Sequence, residues 1–214
     1  MTTYEFGNPG AETLLLQPVD RRDLAGMEAE RCAIAAEAGG DFCLIALQIE
    51  DWNRELSPWE APAVFGKEGF GGGGAETLAR ILALCPEDGR RRFIGGYSLA
   101  GLFALWAASR TDRFAGVAAA SPSVWFPGFT ERLMEEGIRC PRVYLSLGDR
   151  EERTRNPVMA SVGDRIRELA AWLPSQNVDC TLQWNPGNHF RDPELRTAKA
   201  FAWLLRQEEG GRAL

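Results

Sequence analysis

The chain has 214 residues, 45% of them hydrophobic and 25% charged, which suits one soluble globular domain spanning residues 1–214 with a single sizeable core. The net charge of −6 provides no basic face, so nucleic acid is not expected as a partner. Nothing approaches the roughly 18 apolar residues of a membrane span, and Met1–Glu5 lacks the basic start and apolar stretch of a signal peptide; the expected location is the cytoplasm.

In chain order, strand-like apolar runs fall at Thr13–Val19, Phe42–Ile49, Arg92–Gly95, Gly116–Ala120, Arg142–Leu147 and Cys180–Trp184. Helical patterns lie between and after them, near Asp23–Glu37, Ala75–Leu84, Leu99–Ser109, Thr130–Glu136, Val158–Trp172 and Pro193–Gln207. This alternation predicts an α/β fold, a mostly parallel sheet with helices on both faces. Right-handed crossovers then gather the carboxyl ends of the strands along one edge, where such proteins build their sites.

The biased stretch Gly69–Gly74 precedes the Ala75 helix. It lacks the Lys-Ser/Thr ending of a phosphate-binding loop and does not follow a strand directly, so a flexible or close-packed loop is expected. Cys32, Cys43, Cys85, Cys140 and Cys180 are odd in number and have no metal-ligand spacing. They suit a reducing compartment.

Chemistry concentrates around Gly96-Tyr97-Ser98-Leu99-Ala100. The segment reads as strand, sharp turn and helix. A serine at such a turn is strained and holds its hydroxyl clear of the sheet, with small neighbours where strand and helix converge. The helix N-terminus behind it adds N–H groups suited to a developing oxyanion. A serine capping a buried helix would show the same local spacing; the strand-turn-helix context favours a nucleophile.

His189 is the single histidine, placed between the last strand and the last helix. That is where the order nucleophile, acid, histidine puts a general base. The acid should follow the strand Arg142–Leu147, in Gly148-Asp149-Arg150-Glu151-Glu152-Arg153. Asp149, Glu151 and Glu152 are all candidates, and spacing alone does not choose among them.

The elbow Ile94–Leu105, followed by Phe114–Trp125 with its Ser121-Pro122-Ser123-Val124-Trp125, resembles the esterase family of α/β-hydrolases that includes esterase D, siderophore esterases such as enterobactin esterase, feruloyl esterases and the mycolyltransferases. The resemblance runs from about Phe42 to Phe190. It implies an α/β-hydrolase fold and a Ser-acid-His mechanism on small carboxylic esters, with no metal or organic cofactor. Its Gly-x-x-Asp/Glu pattern favours Glu151 as the acid, with Asp149 second. It also implies an oxyanion hole from the N–H of Leu99 and one from Glu50-Asp51-Trp52-Asn53, for which Trp52 is chosen. Trp52, Trp59 and Trp125 are expected near the cleft. The lack of a long insertion between the later strands implies little or no lid. Acyltransfer or thioester cleavage would use the same residues, and a binding protein could share the fold without catalysis.

Overall fold

The computed structural model describes residues 1–211, with side chains placed through Gln207. The main sheet has seven strands in the order β1-β3-β2-β6-β7-β8-β9. These are β1 (Thr3–Gly7), β2 (Thr13–Val19), β3 (Cys43–Gln48), β6 (Arg91–Tyr97), β7 (Gly116–Ala120), β8 (Arg142–Gly148) and β9 (Asp179–Asn185). Every neighbouring pair is parallel except β1 with β3. β1 lies outside the strand-like runs seen in the sequence because its side chains are mostly exposed. An edge strand held chiefly by ladder hydrogen bonds carries little apolar pattern.

Between β3 and the Ala75 region lie α2 (Trp52–Glu55) and a two-stranded ribbon, β4 (Glu60–Ala61) with β5 (Phe70–Gly71). The remaining helices are α1 (Met27–Ala38), α3 (Gly74–Ala83), α4 (Leu99–Arg110), α5 (Phe129–Glu136), α6 (Pro157–Ala160), α7 (Val162–Trp172) and α8 (Pro193–Gly211). Two sequence-based helices are divided. Asp23–Gly26 is a 3-10 turn before α1, and the Val158 segment breaks at Ser161 into α6 and α7.

Alternate residues of the central strands face opposite layers, as a pleated strand requires. Ile94, Val117, Ala119 and Leu145 pack beneath α3, α4, α5 and α7. Phe93, Ala118, Ala120 and Tyr144 pack beneath α1 and α8. Residues Leu99 to Ser109 of α4 are all buried, so this helix is apolar nearly all round. Small side chains let these layers close up. A methyl group on Gly95 would come within 2.5 Å of Ala118 Cβ and 2.8 Å of Phe201, a sterically forbidden approach.

The Gly69–Gly74 stretch is close-packed. The N–H groups of Gly73 and Gly74 donate to the carbonyls of Arg54 and Ser57 at 2.8 and 2.9 Å. Among the described residues, no helix is long and apolar enough to cross a membrane.

Candidate active site

Ser98 sits between the last residue of β6 and the first of α4, with φ 57° and ψ −120°. This conformation costs a non-glycine residue about 1–3 kcal/mol. The tight junction explains the small flanking residues: a Cβ on Gly96 would lie 2.6 Å from Ala100 Cβ. Three backbone bonds hold the turn. Ser98 N–H donates to Ala120, and the Ser98 carbonyl accepts from Leu102 and Ser123, each at 3.1 Å.

The loop after β9 brings His189 Nε2 to 3.0 Å from Ser98 Oγ. The loop after β8 brings Glu151 Oε2 to 2.6 Å from His189 Nδ1. A carboxylate on Nδ1 fixes the proton there in the neutral ring, leaving the Nε2 lone pair for the serine hydroxyl. Glu151 Oε1 accepts from Ser121 Oγ at 2.7 Å, Gly148 N at 2.6 Å and Arg196 at 2.8 Å. Burial pushes the Glu151 carboxyl up, yet the His189 contact, with Ser121 and the Gly148 N–H, outweighs it and holds the group below the usual range.

The neighbouring carboxylates face elsewhere. Asp149 Oδ1 accepts from Gly187 N at 2.8 Å and braces the histidine loop. Glu152 pairs with Arg167 at 3.0 Å.

Leu99 and Trp52 are the first residues of α4 and α2, where helical N–H groups have no intrahelical acceptor. Asp51 caps α2 by accepting from Arg54 N at 3.0 Å, and Glu55 Oε1 takes the N–H groups of Glu50 and Asp51 at 3.0 and 2.9 Å. Trp52 lines the cleft beside Ser98. Trp59 and Trp125 do not line it. Trp59 donates to the Pro127 carbonyl at 3.2 Å, meets Phe126 edge-on and stacks on Phe129. Trp125 packs against Phe65 and Phe70, because apolar rings there gain more by joining the core than by standing at the rim.

In comparisons of sequence alone, no protein-family model and no curated protein matches the chain. Its fold is similar to that of an IroE-like serine hydrolase from Shewanella oneidensis, with a TM-score of 0.72 at 16% identity, over 91% of this chain and 70% of that one. The siderophore hydrolase EstA from Aspergillus nidulans gives 0.66 at 18% identity, over 96% and 89% of the two chains. An enterochelin esterase from Shigella flexneri gives 0.66 at 16% identity, over 97% of this chain and 54% of that one. This chain has the α/β-hydrolase fold. In α/β-hydrolases, the strand-to-helix turn after a central strand and the loop after a late strand supply nucleophile and histidine; Ser98 and His189 occupy those places.

Four residues at the site carried no assigned role in the sequence reading. Ser121, itself at φ 44°, donates to Glu151, and Ser123 Oγ lies 3.1 Å from Ser98 Oγ. Both belong to the Ser-Pro-Ser segment, whose polar residues at a strand end were a usable signal. Tyr97 donates to the His189 carbonyl at 2.7 Å. Arg196, on α8, binds Tyr97 and Ser121 at 3.1 Å each, and the carbonyls of Pro186 and Asn188 at 3.2 and 3.0 Å.

Proposed function

We propose that this protein is a serine hydrolase of small carboxylic esters, acting through an acyl-enzyme on Ser98. The observation that carries the reading is the hydrogen-bonded chain Ser98 Oγ, His189 and Glu151, with contacts of 3.0 and 2.6 Å, built on a strained elbow. The fold neighbours named serine hydrolase, siderophore hydrolase and enterochelin esterase support ester cleavage as the reaction class. The unpaired cysteines suit a reducing compartment such as the cytoplasm.

In the first half-reaction His189 Nε2 takes the Ser98 proton as Oγ attacks the ester carbonyl. Glu151 keeps its negative charge and stabilises the imidazolium. The N–H groups of Leu99 and Trp52 receive the oxyanion, a contribution of about 3 kcal/mol each. Imidazolium then protonates the leaving alcohol. Water, activated by the same nitrogen, releases the acid and restores Ser98.

The test is hydrolysis of p-nitrophenyl acetate by the protein and by Ser98→Ala. The expected result is turnover by the former and loss to background in the latter, with an unchanged circular dichroism spectrum. Equal turnover in both removes Ser98 as nucleophile.

A further inference from the structure

The cleft beside Ser98 has a volume of about 440 Å³ and a lining of both aromatic and acidic residues. Trp52, Tyr97 and Phe190 give aromatic surface next to the serine. Phe190 is 86% exposed, and its ring stands edge-on to His189 at 5.6 Å. The end of β2, the Asp23 turn, α1 and the start of α8 add Gln17, Asp20, Asp23, Glu30 and Glu194 to the lining. Among the described lining residues Arg22 is the one Arg or Lys, and Asp20 already holds its guanidinium at 3.0 Å.

The ester chemistry above uses none of these carboxyls. Two of the polar side chains are also buried in the wall: Glu30 is 3% exposed and Gln17 5%. Gln17 Nε2 donates to Glu30 Oε2 at 3.3 Å, while Gln17 Oε1 and Glu30 Oε1 have no hydrogen-bond donor among the described residues. Buried acceptors without donors are unfavourable, and here either a proton on Glu30 or a nearby positive charge relieves them. Burial, with Glu194 and Asp23 nearby, pushes Glu30 up to about 8, and Asp23 is likewise raised by burial and by Asp20. Mutual repulsion adds to burial at these carboxyls, and a cation held beside Asp23 and Glu194 would relieve it. Carboxylates sharing a cleft with aromatic rings are the chemistry that recognises alkylammonium groups.

We propose that the cleft selects esters whose alcohol half carries an alkylammonium group, its charge facing Asp23 and Glu194 and its alkyl part on Phe190 and Trp52. The proposal rests on the Ser98–His189 reading. The alcohol half is assigned because His189 must protonate the leaving oxygen, so the alcohol lies on the histidine side, where Phe190 and Glu194 follow in the chain.

The experiment compares kcat/KM for acetylcholine and its neutral isostere 3,3-dimethylbutyl acetate at low ionic strength, each divided by its spontaneous rate. The expected ratio is about tenfold in favour of the cation, shrinking as salt screens the wall. In the double variant Asp23→Asn, Glu194→Gln the ratio should fall to within about twofold of one. A wild-type ratio at or below one, with both esters cleaved, overturns the cation site and leaves the hydrolase reading standing. A preference that survives the double substitution also overturns this site. No turnover of either ester, with Ser98 inert to a fluorophosphonate, overturns both.

Discussion

Arg196 meets Glu151 at 2.8 Å, with the two side chains only 3% and 4% exposed. The same guanidinium reaches the carbonyls of Pro186 and Asn188, so one side chain ties the carboxylate to the loop that presents the imidazole. It also donates to Tyr97, whose hydroxyl donates to the His189 carbonyl. Glu151 and the histidine loop thus share one anchor on α8.

Removing that anchor leaves a buried carboxylate with one strong partner fewer. Arg196→Met is expected to cost about 3–5 kcal/mol of stability, the usual penalty for breaking a buried pair. Activity should fall at least tenfold at temperatures where the variant stays folded. Arg196→Lys restores charge without the planar fork and should fall between the two. Urea unfolding alongside p-nitrophenyl acetate turnover measures both effects.

The acid can be separated from its neighbour by paired substitutions. Glu151→Gln should lower kcat by roughly 10³–10⁴-fold, because the amide no longer stabilises the imidazolium or fixes its tautomer. Asp149→Asn should lose less than about tenfold, since Asp149 braces Gly187 and does not touch the ring. Steady-state kinetics on both variants checks the assignment. Similar losses in the two would contradict it.

Glu30 makes a prediction about stability rather than rate. Its folded pKa of about 8 lies above the ordinary value of 4.5, so the folded protein binds this proton more tightly than the unfolded chain. Stability from this group is therefore full below about pH 4.5 and declines as pH rises through 8. Glu30→Gln keeps the shape and removes the titration. At pH 8 the variant should gain on the order of 4 kcal/mol relative to its difference at pH 4.5. Urea midpoints across that window are the measurement, and parallel curves would contradict the expectation.

The legible part of the site lay where chemistry and spacing coincide. Ser98 has a recognisable strand-turn-helix setting, and His189 is the only imidazole in the chain, so elimination did much of the work. Glu151 needed the Gly-x-x-Glu pattern, because three carboxylates within four positions look alike until the loop is folded. Arg196 was not legible. It is one arginine on a helix with apolar residues on its buried face, and its role depends on where α8 crosses the sheet, a tertiary fact. The central strands announced themselves as continuous apolar runs because both faces are covered. β1 and the β4–β5 ribbon did not, since exposed edges and two-residue ladders leave almost no hydrophobic trace.

The reading of Ser98 as a nucleophile activated by His189 is tested most directly by fluorophosphonate labelling, with the modified residue mapped by mass spectrometry. Stoichiometric phosphonylation of Ser98 is expected, abolished in Ser98→Ala and slowed at least a hundredfold in His189→Ala, because the dyad acts as a unit. An unlabelled protein, or label on Ser123 in place of Ser98, would contradict it.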